Sequence, residues 1–367
     1  MIEKKYMERA IELAKKGLGH TNPNPMVGAV IVKNGRIIGE GYHERCGELH
    51  AERNAIAHLT ENAEGATIYV TLEPCCHYGK TPPCTEGIIE KKISRVVIGS
   101  RDPNPLVAGK GVKQLRDAGI EVVEDFCRAE CDAINDVFFH YITTKKPYVV
   151  MKYAMTADGK IATKTGDSKW ITKEKAREHV QYLRHCYMGI MVGIGTVFAD
   201  NPMLNCRMPE GRNPIRIVCD SNLRIPMDCQ IVKTATEIPT IVAVKRQKFT
   251  KEQKEKIEQL SKNQVEVIEI LEKEEELDLT NLMEILGEKG IDSILLEGGG
   301  TLNETALREG IIQKAYVYMA PKMFGGSQAK TPVEGQGIFL AKEAYSFSVE
   351  QMQKIGEDIL IELKNKK

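Results

Sequence analysis

The sequence predicts an α/β fold class with two domains in tandem, and three observations carry that prediction. At 367 residues the chain is longer than one hydrophobic core usually organises. Short apolar and β-branched runs alternate with segments of helical spacing, the pattern of strands joined by crossover helices. A basic, proline-marked break at Lys145-Lys146-Pro147 separates a completed α/β pattern from a new strand, which sets the domains at 1–146 and 147–367.

The elements follow in order. Met7, Ala10, Ile11, Leu13 and Ala14 recur at helical spacing, and Gly17 and Gly19 close that helix. Val27 to Val32 is a strand, and Asn34-Gly35 before Arg36-Ile37-Ile38-Gly39 signals a β-hairpin. Ala51 to Leu59 reads as a helix, Thr67 to Thr71 as a strand, Thr85 to Lys92 as a helix and Arg95 to Ile98 as a strand. Beyond the break, strands are expected at Tyr148 to Tyr153, Gly189 to Val192, Ile215 to Cys219, Thr240 to Val244, Val265 to Ile268, Ile294 to Leu296 and Ala315 to Tyr318. The charge-rich stretches Lys251 to Glu258 and Glu272 to Glu276 read as solvated faces and loops. Alternation of this kind implies parallel strands, with sites collecting at their carboxyl ends.

Charge and cysteine usage narrow the function. Basic and acidic residues balance to a net charge of zero, which removes the electrostatic footprint of nucleic-acid binding and favours a small-molecule substrate. Met1 to Lys16 is charged and amphipathic, so neither a signal peptide nor a membrane partner is expected. A cytoplasmic location follows, and there the ten cysteines are expected as thiols or metal ligands, with Cys127, Cys131, Cys186, Cys219 and Cys229 as packing residues. A homo-oligomer is expected.

The chemistry is carried by His50-Ala51-Glu52 and by Pro74-Cys75 with Cys84, just past a strand end. One imidazole and two thiolates can hold Zn²⁺ with its fourth position open to water, and Glu52 is then free to move protons as the catalytic residue. Zinc deaminases carry H-x-E followed by P-C-x-x-C, whereas here eight residues separate the two cysteines. His50 and Glu52 diverge if both lie in a regular helix, so His50 is placed at or before the first turn. Cys84 sits just before the next helix, where free N–H groups favour a thiolate. Cys46, Cys76 and His77 are rival ligands that chain order does not exclude; Cys76 projects away from Cys75, and His77 is a candidate to face substrate. Lys80, beside Gly79 on a mobile turn, offers an ammonium to a phosphate but by itself reads as a solvated lysine; Asn24, between two prolines, is either an amide that reads a pyrimidinone edge or a turn residue, and His43 has the same two readings. In the second half, Ile294 to Leu296 runs through Glu297 into Gly298-Gly299-Gly300 and a helix through Arg308, a weak phosphate-binding signal without a G-x-G-x-x-G fingerprint.

Asn22 to Val30, Gly41-Tyr42-His43, His50-Ala51-Glu52, Thr71 to Cys84 and Arg101-Asp102-Pro103-Asn104-Pro105 resemble the bifunctional riboflavin-biosynthesis deaminase/reductase family. Lys152 to Ile161, Ser168 to Thr172, Arg184, Gly195-Thr196-Val197, Asp200-Asn201-Pro202 and Glu297 to Gly300 are similar to the reductase half of that family. The resemblance covers essentially the whole chain, and within it the long insertion between the cysteines is the normal form. It implies a cytidine-deaminase-like three-layer domain followed by a dihydrofolate-reductase-like domain, with Zn²⁺ and NADPH as cofactors. It assigns zinc to His50, Cys75 and Cys84, the proton shuttle to Glu52, and substrate binding in the deaminase to Asn24, His43 and Lys80, the last at the 5′-phosphate. In the reductase it implies cofactor contacts from Ala154, Trp170, Thr196, Asp200, Ser221 and the turn Gly298, Gly299, Gly300, Thr301, Leu302, Asn303 and Glu304. Substrate contacts are implied at Ser168, Arg184, Leu204, Arg207 and Glu297. The expected substrates are phosphorylated pyrimidinones. A nucleoside or RNA deaminase with an accessory domain is the alternative, and a non-catalytic zinc module or redox sensor is the rival from another class.

Overall fold

The computed structural model describes residues 2–79 and 82–366. It divides into two compact units, residues 1–145 and 146–367. Unit 1 runs α1 (Lys4–Lys15), β1 (Gly28–Lys33), β2 (Arg36–Tyr42), α2 (Ala51–Ala57), β3 (Thr67–Leu72), α3 (Cys84–Glu90), β4 (Arg95–Ser100), α4 (Lys110–Asp117), β5 (Glu121–Val123), α5 (Arg128–Ala133) and α6 (Asp136–Thr144). Its sheet has the order β2-β1-β3-β4-β5, with β1 antiparallel to both neighbours and β3, β4 and β5 parallel. The period of two along each strand splits the core. Ile31, Ile68, Val70, Val96 and Ile98 face Ala51 and Ala55 of α2, Ile88 of α3 and Leu115 of α4. Val30, Val32, Tyr69 and Val97 face Met7, Ala10 and Ile11 of α1 and Cys131 of α5. These are the three layers that the resemblance implies.

Glycine sets α2 close against the hairpin. A Cβ on Gly41 would lie 2.3 Å from the Ala55 nitrogen and 2.6 Å from the Ala51 oxygen, so only glycine permits this approach. The residues that begin α2 are thereby fixed relative to the sheet.

Unit 2 runs β6 (Tyr148–Thr156), α7 (Glu174–Cys186), β7 (Gly189–Gly193), α8 (Ile194–Asp200), β8 (Ile215–Cys219), α9 (Gln230–Lys233), β9 (Thr240–Lys245), α10 (Lys251–Lys262), β10 (Val265–Ile270), β11 (Glu272–Lys273), β12 (Glu276–Leu277), α11 (Leu279–Glu288), β13 (Ser293–Leu296), α12 (Gly300–Arg308), β14 (Ile312–Ala320), β15 (Phe347–Ile355) and β16 (Asp358–Asn365). The nine-stranded sheet has the order β10-β9-β8-β7-β13-β6-β14-β16-β15. Strands β10 to β14 in that order are parallel, and β16 and β15 close the edge as an antiparallel hairpin. Met151, Met191, Ile217, Ile294 and Leu296 pack against Leu282 and Leu286 of α11 and Ala306 of α12. Ile190, Val192, Val218 and Val242 pack against Val197, Ile231 and Leu260 from α8, α9 and α10. The chain leaves β6, adds β7 to β10 outward, then returns to place β13 between β7 and β6. Crevices form at the carboxyl ends of strands where such an order reverses.

Two stretches read from sequence as solvated faces and loops are solvated but carry regular structure. Lys251 to Glu258 is the start of α10, nucleated by a capping box in which Thr250 and Gln253 exchange side-chain and backbone hydrogen bonds. Glu272 to Glu276 is a short antiparallel ladder, β11 with β12. Among the described residues no helix is long and apolar enough to cross a membrane.

Candidate active sites

In unit 1 three elements deliver three ligand atoms to one point. His50 is the N-cap of α2, in extended backbone with φ −72° and ψ 162°, so its ring turns away from the helix while Glu52 lies buried in the first turn. Cys75 follows the end of β3, and Cys84 is the first residue of α3. Glu73 fastens the strand end: its two carboxylate oxygens accept from Gly109 N at 3.1 Å and Val112 N at 3.2 Å, at the start of α4. The His50 Nδ1 lies 3.4 Å from Cys75 Sγ and 3.4 Å from Cys84 Sγ. Tetrahedral zinc, with Zn–S of about 2.3 Å and Zn–N of about 2.0–2.1 Å, requires an N···S separation of about 3.6 Å. The donor set therefore fits zinc in chemistry and in spacing. Among the described residues this is the group of three such side chains whose ligand atoms lie within 4.8 Å of one another. The rivals are not part of that group: the Cys76 thiol lies 4.0 Å from Leu106 O, and Cys46 and His77 line the same cavity as His50 and Cys75 without joining their cluster.

The electrostatics suit proton transfer. A hydrogen bond with Cys84 draws the Cys75 thiol down to about 4, with His50 adding to the effect, while the same bond and burial push Cys84 up. Burial raises the Glu52 carboxyl, and the Cys75 charge adds to that. His43 places Nδ1 3.0 Å from Leu49 O and Nε2 3.2 Å from the Asn24 Nδ2. With Nδ1 as donor, Nε2 accepts from the Asn24 amide, and burial lowers the His43 pKa toward that neutral form. Asn24, His43, Glu52 and Cys75 line one cavity together with Asp102 and Asn104, two residues that carried no site role in the sequence reading. Their signal was the D-P-N-P turn, in which Asp102 Oδ1 accepts from Asn104 N at 2.8 Å. Burial pushes the Asp102 carboxyl up to about 6. Lys80 lies outside the described residues.

Unit 2 holds two adjoining cavities that share Ser168 and Asp200. The first is lined by Thr196, Ser221 and the turn residues Gly299, Gly300, Thr301 and Leu302. Gly299 is the N-cap of α12 and has open space where a Cβ would stand, so backbone N–H groups are accessible there. A Cβ on Gly300 would lie 2.4 Å from Glu334 Cγ, which holds that turn to glycine. This cradle fits a phosphate-bearing dinucleotide such as NADPH. Gly298, Asn303 and Glu304 are not brought to the cavity wall: Asn303 and Glu304 are buried on the inner side of α12, where Asn303 Nδ2 donates to Pro332 O at 2.8 Å.

The second cavity is lined by Ala154, Trp170, Arg184, Arg207 and Glu297, and also by Lys152 and Arg177, which carried no role in the sequence reading. Arg184 grips Glu297 with Nε–Oε1 at 2.8 Å and Nη2–Oε2 at 3.1 Å, and its Nη1 donates to Asn205 O at 3.1 Å. Lys152 Nζ stands 3.4 Å from the same carboxylate. Burial pushes the Glu297 carboxyl up, but the Arg184 and Lys152 charges outweigh it and hold it at about 2. Leu204 does not reach the wall; with φ 53° it turns inward and packs beside Ile190 and Val197.

Comparison with known proteins covers both units. The cytidine and deoxycytidylate deaminase zinc-binding region matches residues 1–100, and the RibD C-terminal domain matches residues 147–361. The riboflavin biosynthesis protein RibD of Actinobacillus pleuropneumoniae is 57% identical over 362 residues, covering 99% of this chain and 95% of that protein. RibD of Escherichia coli is 39% identical over 376 residues, covering 99% of each. Among solved structures, Acinetobacter baumannii RibD aligns with a TM-score of 0.89 at 36% identity over 99% of both chains. The Thermotoga maritima diaminohydroxyphosphoribosylaminopyrimidine deaminase/5-amino-6-(5-phosphoribosylamino)uracil reductase aligns at 0.86 and 39% identity, covering 99% of this chain and 98% of that one. A nucleoside or RNA deaminase with an accessory domain finds no support in these matches. The first unit is a zinc-dependent deaminase and the second a reductase that uses NADPH. The chain belongs to the RibD family of bifunctional riboflavin-biosynthesis deaminase/reductases.

Proposed function

We propose that the deaminase takes 2,5-diamino-6-(ribosylamino)-4(3H)-pyrimidinone 5′-phosphate and that the reductase converts the ribosyl group of its product to ribityl. The observation that carries this reading is the trio His50, Cys75 and Cys84 at zinc spacing with the buried Glu52 beside it. Zinc at the trio supplies a Lewis acid that makes water nucleophilic at neutral pH. With zinc bound, Glu52 would take one proton from the water and pass it to the ring nitrogen, then carry the second proton of that water to the amino group, which leaves as ammonia as the carbonyl forms. Neutral His43 fixes the Asn24 amide, whose Oδ1 is left to accept from the pyrimidinone edge. Lys80 is assigned to the phosphate.

The wall formed by Thr196, Ser221 and Gly299–Leu302 would hold NADPH, which would supply the hydride. Ser168 and Asp200 stand where the two cavities meet and so bring substrate and cofactor together. Glu297, fixed by Arg184 and Lys152, presents a charged floor that positions the sugar. Ala154 and Trp170 complete the proposed cofactor contacts, and Arg207 those to substrate. Ten free cysteines support a cytoplasmic location. The edge strand β15, with Val349 and Met352 more than half exposed, supports a homo-oligomer.

A coupled assay tests the reading. NADPH absorbance should decay when the deaminated product is supplied and should not decay with the undeaminated pyrimidinone on a deaminase-dead chain. Decay with dihydrofolate, or none with the deaminated uracil, contradicts it.

A further inference from the structure

The substrate cavity of unit 2 carries more positive charge than its assigned residues use. Lys152, Lys169, Arg177, Arg184 and Arg207 line it against Asp200 and Glu297, an excess of three positive charges (5 − 2). Lys152 and Arg184 are spent on Glu297, and the third N–H contact of Arg184 goes to Asn205 O. The Arg184 fork, which the resemblance assigned to substrate, is therefore filled by a carboxylate of the chain itself. Among the described residues neither Arg177 nor Arg207 makes an ion pair with a carboxylate.

Arg177 is the better prepared of the two. It sits in the first turn of α7, half-buried, with its guanidinium carbon 4.5 Å from the centre of the Trp170 ring. Its Nη1 donates to Thr172 O at 2.8 Å. Lys322 Nζ in turn donates to the backbone carbonyl of Trp170 at 2.9 Å, which anchors the segment that carries the ring. Stacking fixes the plane of the fork and removes rotamer freedom that a flexible cation would lose on binding. One of its five N–H groups is used, and the others remain for an anion with the planar, forked geometry that guanidinium matches best.

We propose that Arg177, stacked on Trp170, is a phosphate-binding residue of the reductase and works with Arg207 where the Arg184 fork is occupied by Glu297. The inference rests on the reading that the reductase substrate is phosphorylated. Arg177 holds the phosphate at the outer end of the cavity, while the Glu297 pair faces the sugar.

The test compares full-length wild type with Arg177→Met and Arg177→Lys, using 5-amino-6-(5-phosphoribosylamino)uracil and its dephosphorylated counterpart. Arg177→Met should raise KM for the phosphorylated substrate on the order of 10- to 100-fold, the factor one charge-assisted hydrogen bond carries. Turnover at saturation, KM for the dephosphorylated compound and NADPH affinity should stay near wild type, and Arg177→Lys should recover part of the loss. Trp170 is the single tryptophan of the chain, so inorganic phosphate titrated against wild type should change the intrinsic fluorescence, a response the methionine variant loses. Deaminase activity, which resides in the other unit, and the thermal midpoint serve as controls for folding. If wild type prefers the phosphorylated compound and Arg177→Met keeps that preference, the proposal is overturned. It is equally overturned if both substrates and NADPH weaken together, because Arg177 then acts only by holding Trp170. A wild type indifferent to the phosphate would instead overturn the substrate reading beneath it.

Discussion

Replacing Glu297 by glutamine probes the electrostatic centre of the reductase cavity. The carboxylate is only 12% exposed and faces two cations, Arg184 at 2.8 Å and Lys152 at 3.4 Å. Burial works against its ionisation, yet the cations bring it from an ordinary 4.5 to about 2. At roughly 1.4 kcal/mol per pH unit that difference is worth about 3 kcal/mol. The figure agrees with the ~3–5 kcal/mol that breaking a buried pair costs when a charge is left uncompensated. Because the folded value lies below the unfolded one, this stabilisation is complete above pH ~4.5 and is lost as pH falls from there toward 2. Urea unfolding of the full chain, followed at Trp170 in the same unit, gives the free energy of that transition. Glu297→Gln should lower it by about 3 kcal/mol at pH 7, and the gap to wild type should narrow as pH drops below ~4.5. A gap under about 0.5 kcal/mol at pH 7, or one that widens on acidification, would refute the reasoning.

The deaminase unit yields two further predictions. Asp102 has the opposite sign: burial raises it from 3.8 to about 6, so its contribution is favourable below pH ~4 and is lost as pH rises through 6. Asp102→Asn should therefore stabilise unit 1 by about 2–3 kcal/mol above pH 6, with no gain near pH 4, as read by far-UV circular dichroism in urea; equal stability at pH 7 contradicts this. Gly41→Val would drive a side chain into Ala55 N, 2.3 Å from the Cβ position, and move α2 with His50 and Glu52. Ammonia release should fall at least tenfold and zinc should be lost more readily to a chelator, while NADPH oxidation with deaminated substrate stays unchanged; undiminished deamination would show that the close approach of α2 is dispensable.

Local chemistry made much of this molecule legible. The Asn34-Gly35 hairpin, the strand before Cys75 and the helix starts at His50 and Cys84 are each marked by residues whose backbone preference or metal chemistry acts over a few positions. What stayed hidden depends on tertiary contact. The β15 strand carries six exposed residues and shows no apolar alternation, because it is stabilised by pairing with β16 at the sheet edge. Helix α10 buries only Leu260, so its charge concealed it and the Thr250–Gln253 capping box was the available sign. The pairing of Arg184 with Glu297 spans 113 residues, and nothing local to either announces that one cancels the other. Leu204, implied as a substrate contact, is drawn into the core by the apolar surface around it, and Arg177 gained significance only once Trp170 lay beneath it.

The central claim is that Glu52 moves protons beside a zinc ion held by His50, Cys75 and Cys84. Glu52→Gln keeps the size of the side chain and leaves all three ligands in place, so metal content and ammonia release on the same purified sample separate binding from catalysis. The Glu52→Gln chain should hold about one zinc, as in wild type, with deamination reduced by roughly 10²- to 10⁴-fold and NADPH oxidation of pre-deaminated substrate intact. Ammonia release at the wild-type rate from a zinc-loaded Glu52→Gln chain would contradict it.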